Sequence, residues 1–323
     1  MMPKVSIIIP TYNRSHFLCT ALDSALLQDY GNIEVIISDN ASTDNTPEII
    51  AKYLGDPRIK YFRNEKNIGM YPNQRRALFE YASGDWALML DDDDYLIDKS
   101  YISDAMTLLN KNRYIVIIHA NCRMLHDPSG SYKETDKQLP EIVDGRWMFL
   151  NYKYAVIGNT NYDKLTVLFD RKKALELNFF NDIINSSDRD SLLKLSLKGH
   201  IGFIDKVVSV YRIHGSNASA SIDINGYFEN LRAVTSPYEY AKKLKIFEEK
   251  QLDKWKKRMI RESAAIVFIG SLLRSDKGFT NKFISRLYRE YPFALTIILD
   301  IFKPKIFAKI MLSKLRSISP GSN

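Results

Sequence analysis

Four short apolar runs near the N-terminus are unbroken rather than alternating: Val5–Ile9, Ile33–Ser38, Ile59–Phe62 and Trp86–Leu90. An unbroken run suits a strand buried on both faces, the habit of parallel sheets covered by helices. The stretches between them, Ser15–Gln28, Asp44–Tyr53 and Pro72–Tyr81, carry helical spacing. Asn45-Thr46-Pro47 reads as a helix start with proline in the first turn. This β-α-β-α-β order predicts an α/β protein with a doubly wound sheet. Tyr114–His119 and Thr166–Phe169 read as further strands, Ser187–Lys198 as a helix, and Gly199–Tyr211 as one or two more strands. No internal repeat is visible.

After about Ser221 the pattern is helical only, with candidates at Tyr238–Glu249, Leu252–Arg274, Asn281–Arg289 and Lys305–Arg316, and breaks at Pro292 and Pro304. A boundary near residue 225 is expected, with halves 1–95 and 96–225 before it and a helical extension, 226–323, after it. Charge follows the same division. The net charge of +8 combines 20 Lys+Arg against 9 Asp+Glu from Gly226 onward with 26 against 29 before it. A near-neutral body thus carries a basic tail, which suits an anionic partner. In Lys305–Arg316 the residues Ile306, Phe307, Ile310, Met311 and Leu315 share one face, opposite Lys305, Lys309 and Arg316. That pattern suits an interfacial helix on anionic lipid, and equally packing against the body or a second subunit.

Several classes fall away. At 323 residues, 45% apolar and 26% charged, the chain is an ordinary globular protein. Two cysteines, Cys19 and Cys122, cannot build a disulfide framework and fit a reducing compartment. The apolar run after Met1-Met2-Pro3-Lys4 is too short for a signal peptide. The longest later run, Pro292–Leu299, falls short of the ~20 residues of a spanning helix. A cytoplasmic body is expected, with peripheral contact at the inner face of the plasma membrane. No zinc-finger spacing, RNP-type motif or phosphate-binding G-x-x-x-x-G-K loop argues for nucleic acid.

Ligands of open α/β sheets bind outside the carboxyl ends of the strands. After the first predicted strand comes Pro10-Thr11-Tyr12-Asn13-Arg14, after the second Asp39-Asn40-Ala41-Ser42-Thr43-Asp44, and after the fourth Asp91-Asp92-Asp93-Asp94. Four carboxylates at one strand end are costly without a compensating cation. Oxygen ligands of this kind suit Mg2+ or Mn2+ held together with substrate phosphates.

These pieces, with Asn67-Ile68-Gly69 and Gly84-Asp85-Trp86 through Asp94, resemble the family 2 glycosyltransferases in order and spacing over about residues 4–95. A second block, Ser187-Asp188-Arg189-Asp190 through Tyr211-Arg212-Ile213-His214, resembles that family's acceptor side. The resemblance implies a GT-A fold: a mixed doubly wound sheet with a Rossmann-like nucleotide half. It implies that Pro10, Thr11, Tyr12 and Arg14 line the donor pocket, that Asp39 takes a hydrogen bond from the base, typically uracil, and that Asn67 lies near the base. Asp91 and Asp93 match the outer members of the Asp-x-Asp motif, Asp91 toward the ribose and Asp93 on the metal, with Asp92 at the variable position between them. Arg75 or Arg76 falls where several members carry a donor-binding arginine. Asp188 matches the general base, although Ser187 stands where a glutamate is usual, which keeps Asp190 as a rival. His214 follows Tyr211-Arg212-Ile213, a stretch that approaches the diphosphate and metal.

The expected activity is therefore metal-dependent, inverting transfer of a sugar from a nucleotide donor, UDP-linked, to a hydroxyl of a cell-surface or lipid-linked glycan. The acceptor rests on family analogy and the basic tail alone, and oligomerisation is left open. One rival is a nucleotidyltransferase of sugar phosphates, which needs a glycine-rich loop after the first strand that Pro10–Arg14 lacks. Another is a non-catalytic glycan-binding or scaffold protein of the same fold.

Overall fold

In the computed structural model the described residues are 2–127, 129–153, 166–181, 186–215, 223–273 and 276–296. The nucleotide half runs β1 (Val5–Thr11), α1 (Ser15–Leu26), β2 (Ile33–Asp39), α2 (Thr46–Ala51), β3 (Ile59–Arg63), α3 (Met70–Arg76) and β4 (Trp86–Met89). The next part runs β5 (Tyr95–Leu96), α4 (Tyr101–Lys111), β6 (Ile115–His126), β7 (Ser131–Glu134), β8 (Ile142–Asp144), α5 (Gly145–Asn151), β9 (Leu168–Asp170), α6 (Arg171–Glu176), α7 (Ser187–Ser196) and β10 (His200–Ile213). Then come α8 (Ile224–Asn230), α9 (Arg232–Leu244), α10 (Glu249–Leu273) and α11 (Lys277–Glu290).

Among the described residues one mixed sheet carries the strand order β3-β2-β1-β4-β9-β6-β10-β5, with β7 on β6 and β8 on β10. β1 pairs in parallel with both β2 and β4, whereas β9 is antiparallel to β4 and β6. Every residue of β1 and β2 is buried, so both faces of these strands are covered and no polar alternation is needed. The chain leaves β1 toward β2 and β3 on one side and returns to β4 on the other. The crevice at such a switch point is where an open sheet takes its ligand.

Several predicted elements extend further than the pattern suggested. β6 reaches His126 rather than His119, because its polar second half is paired with β7 and β10. Gly199–Tyr211 becomes one strand, β10, whose register against β6 shifts between Ile204 and Ser209. α9 begins at Arg232, with Pro237 buried inside it. Pro292 opens a short 3-10 turn. The buried apolar cluster that holds Ile8, Ile36 and Phe149 also holds Phe228, Trp255, Phe268 and Phe283, so α8 to α11 pack on the same core as the sheet. Among the described residues no helix is long and apolar enough to cross a membrane. The amphipathic stretch Lys305–Arg316 and the break at Pro304 lie outside the described residues. Both cysteines are free.

A buried carboxylate fixes the edge opposite the site. Glu34 on β2 accepts from Ser6 Oγ at 2.6 Å and from Lys4 Nζ, Lys60 Nζ and the Ser83 amide at 2.7 Å each. Burial pushes this carboxyl up, but those four donors outweigh it and hold the group below the ordinary range. A depressed folded value means that the contribution to stability is present above the unfolded value, ~4.3, and fades as pH falls toward the folded one. Glu34→Gln is expected to cost about 2 kcal/mol at pH 7, the scale of hydrogen bonds lost at a buried charged acceptor. In urea melts between pH 7 and pH 2, the gap between wild type and variant should narrow below pH ~4.3. A gap that stays constant to pH 2 contradicts the ion-pair account.

Candidate active site

The loops after β1 and β2 lock each other. Asn13 adopts φ 54° and Ala41 φ 66°, conformations that side chains rarely take unless their surroundings enforce them. Here the enforcement is local. Asn13 Oδ1 accepts from the Thr43 amide at 2.7 Å, the Asn13 amide donates to Ser42 Oγ at 3.0 Å, and Asp39 Oδ1 accepts from the Ser42 amide at 2.8 Å. Asp39 is fully buried; its other oxygen accepts from the Tyr61 hydroxyl at 2.8 Å and lies 3.4 Å from Arg63 Nε. The residue expected on the base edge therefore also shapes the β2 loop.

A second lock holds the Asn67–Gly69 turn. Asn40 Nδ2 donates to Asn67 Oδ1 at 2.8 Å, while Asn40 Oδ1 accepts from the Ile68 amide at 2.9 Å and from Asn64 Nδ2 at 3.0 Å. Asn73 on α3 ties this to β2 through the Ser38 carbonyl at 2.8 Å. Gly69 sits at φ 94°, where a side chain is strained. Asn67 itself is exposed, beside the β2 loop that Asp39 anchors. Sequence reasoning singled out Asn67 and quoted Asn40 in the β2 loop, but missed Asn64 and Asn73 and the hydrogen bonds that join the set.

The carboxylates after β4 meet the β1 loop and the end of β10. Arg14 Nη1 lies 3.1 Å from Asp92 Oδ1 and 2.6 Å from Asp93 Oδ2. His214 Nε2 lies 3.1 Å from the same Asp93 oxygen, and its ring centroid is 4.9 Å from that of Phe17 on α1. Asp94 Oδ1 accepts from the Arg212 amide at 2.9 Å, tying β10 to the turn. Asp92, Asp93 and Asp94 are buried and Asp91 is half-buried. Burial pushes the Asp92 carboxyl up to about 7; Arg14 pulls the other way, and the charge on Asp93 adds to the rise. The structure thus gathers Thr11, Arg14, Asp92, Asp93 and His214, residues up to 203 positions apart, at one strand edge.

These residues suit a divalent ion. Asp93 and His214 bring a carboxylate oxygen and an imidazole nitrogen within ligating reach of one centre. Among the described residues no group of three His, Cys, Asp or Glu is arranged to hold a metal. An ion here would complete its shell with phosphate oxygens and water, as Mg2+-type sites at phosphates commonly do.

The two base candidates separate. Asp190 is buried, and its Oδ2 is paired with Lys194 Nζ at 2.8 Å along α7. Asp188, in the first turn of α7, is half-buried. Burial, then the charges of Asp188 and Asp91, push the phenol of Tyr71 upward, while Arg189 pulls it down. One phenol therefore lies within electrostatic reach of both Asp188 and Asp91. Nothing in the sequence distinguished Tyr71 from a core aromatic. Both arginine candidates have partners within the chain. Arg75 donates to the Phe179 carbonyl at 3.0 Å and covers the Phe79 ring, and Arg76 pairs with Glu80. Tyr12 is exposed at the mouth of the β1 loop, and Pro10 is buried in β1. A separate groove of about 980 Å³, lined by Asp223, Asn225, Lys282, Arg286, Arg289 and Glu290 among others, belongs to α8, α11 and their flanks. No strand-end residue lines it, so the carboxylate chemistry lies elsewhere.

Residues 6–161 match the family described as glycosyl transferase family 2. An uncharacterized glycosyltransferase of Rickettsia conorii is 30% identical over 235 residues, which is 72% of this chain and 36% of that protein. The GalNAc(5)-diNAcBac-PP-undecaprenol beta-1,3-glucosyltransferase of Campylobacter jejuni is 29% identical over 66% of this chain and 65% of its own length. This chain thus spans about a third of the Rickettsia relative and about two thirds of the Campylobacter one. Among solved structures, Staphylococcus aureus TarS 1-349 in complex with UDP-GlcNAc superposes with a TM-score of 0.69 at 20% identity, covering 88% of this chain and 79% of that one. The mannosyltransferase PcManGT of Pyrobaculum calidifontis, in complex with GDP-Man and Mn2+, gives 0.54 at 15% identity, covering 92% and 84%. These likenesses establish the GT-A fold.

Proposed function

We propose, from the premise that this chain carries a glycosyl transferase family 2 domain over residues 6–161, that it transfers a sugar from a UDP-linked donor to a hydroxyl of a cell-surface or lipid-linked glycan, with inversion. The observation that carries the reading is the meeting of the β1 loop, the Asp91–Asp94 turn and His214 at the switch point of the sheet. The UDP-GlcNAc complex of TarS supports a UDP donor. The name of the Campylobacter relative, with its undecaprenol-linked glycan, supports the acceptor class.

In this reading the β2 loop and the Asn67 turn receive the base, Asp91 faces the ribose, and Asp93 with His214 would hold the ion. When bound, the metal supplies positive charge against the charge that grows on the departing diphosphate. Asp188 takes the proton of the acceptor hydroxyl as the new carbon–oxygen bond forms and the bond to phosphate breaks, the electron pair leaving with UDP. One displacement with one base inverts the anomeric centre. Asp188 is favoured over Asp190 because Lys194 already pairs with Asp190, which holds it along α7.

The test is a thermal-shift panel of UDP, GDP, ADP and CDP, each with Mn2+. A ligand that binds only the folded state, at 100 times its dissociation constant, adds about 2.7 kcal/mol. UDP should give the largest rise. A larger rise with another base would overturn the UDP assignment, and no rise with any would favour the non-catalytic reading.

A further inference from the structure

Two nitrogens meet Asp93 Oδ2 at once. Arg14 Nη1 stands at 2.6 Å and His214 Nε2 at 3.1 Å. The same Arg14 nitrogen reaches Asp92 Oδ1 at 3.1 Å, and Asp91 also acts on Arg14 electrostatically. One guanidinium therefore answers three consecutive carboxylates at the point where a divalent ion would sit. An ion ligated by that Asp93 oxygen and a guanidinium hydrogen-bonded to it compete for the same lone pairs and repel each other. Arg14 is also placed to move. It directly precedes α1, its side chain is 25% exposed whereas those of Asp92 and Asp93 are 5% and 7% exposed, and its planar fork matches phosphate oxygens as well as carboxylates.

We infer that Arg14 is a resident counterion of the metal seat: it neutralises Asp92 and Asp93 while no nucleotide is bound, and it passes to the donor's diphosphate when metal and nucleotide enter together. The inference rests on the donor-site reading given above. Its consequence is that the bare protein binds metal poorly and that metal and nucleotide bind as a coupled pair. Displacing Arg14 from two carboxylates only to expose it to water is unfavourable. Displacing it onto two phosphates is not. A unit charge about 4 Å from a second cation, at the effective dielectric of a half-buried site, changes an equilibrium constant by well over tenfold.

The test is Mn2+ binding to the full chain, followed by the EPR signal of free Mn2+, with and without UDP. It uses wild type, Arg14→Gln and Arg14→Lys, with UDP affinity of each protein measured by calorimetry. In wild type, UDP should tighten Mn2+ binding at least tenfold, and by reciprocity Mn2+ should tighten UDP equally. Arg14→Gln should bind Mn2+ without UDP at least tenfold more tightly than wild type and should show smaller coupling, the remainder coming from phosphate oxygens that ligate the ion directly. Arg14→Lys, which keeps the charge, should keep Mn2+ binding without UDP weak, while losing the forked contact to phosphate. Unchanged or weaker Mn2+ binding by Arg14→Gln without UDP overturns the role of Arg14. The wild-type coupling is a second test that needs no variant: if Mn2+ and UDP bind independently, the inference fails even if Arg14→Gln does not fold. Should wild type bind no Mn2+ even with UDP, the donor-site reading itself fails, a result distinct from the other two.

Discussion

Asp93→Ala is expected to lower turnover about 10³-fold, the loss seen when a preorganised electrostatic group is removed from a developing anion. Asp93 is the carboxylate on which Arg14 and His214 converge. Its removal takes away one proposed metal ligand and leaves Arg14 with Asp92 and the nearby charge of Asp91. Turnover is read as UDP release from a UDP-sugar, with acceptor where one is in hand and as slow donor hydrolysis otherwise. The fold should survive, because β4 and the core beneath it are untouched and Arg14 keeps Asp92. Chelation by EDTA should produce a loss of similar size in wild type. A variant within tenfold of wild type, or full activity in EDTA, removes Asp93 from the proposed chemistry.

Asp188→Asn is the second large effect. Losing a general base costs roughly 10²–10⁴-fold in turnover. UDP affinity should be nearly unchanged, because the base meets the acceptor rather than the nucleotide. Asp190→Asn should behave differently. It breaks a buried ion pair with Lys194, so it should lower the melting temperature while turnover per folded molecule stays within a few-fold of wild type. Paired kinetics and melting curves separate the two. If Asp190→Asn is crippled in turnover and Asp188→Asn is not, the base has been placed on the wrong carboxylate.

The sheet was legible where the physics is local. Val5–Ile9 and Ile33–Ser38 are buried on both faces, so their lack of alternation was itself the signal of parallel strands, and the polar turns that follow them had to lie at one edge. The long strands β6 and β10 were not legible beyond their apolar parts. Asn121–His126 look like loop in sequence, and their strand character comes from partners 5 to 11 positions away on β7 and 86 to 87 positions away on β10. α4 was missed, although Tyr101, Ile102, Ala105, Met106 and Leu108 form its buried face. The four-aspartate turn and the β1 loop drew attention to the site. The specific convergence of Arg14 and His214 on one oxygen of Asp93 depends on a contact across 121 residues that no spacing rule encodes. The helix over Ser187–Lys198 was expected, but the different burial of Asp188 and Asp190, and the pairing of Asp190 with Lys194 one turn on, came only with the packing of α7.

The ends of β1 and β4 with His214 are proposed to form a metal-assisted nucleoside diphosphate site. Calorimetric titration of UDP into wild type and Asp93→Asn, each in Mn2+ and in EDTA, measures it without any acceptor. Wild type should bind UDP at least tenfold more tightly in Mn2+ than in EDTA, and Asp93→Asn should bind with the weaker affinity in both. Equal UDP affinity in all four titrations, or no UDP binding by wild type in Mn2+, would contradict it.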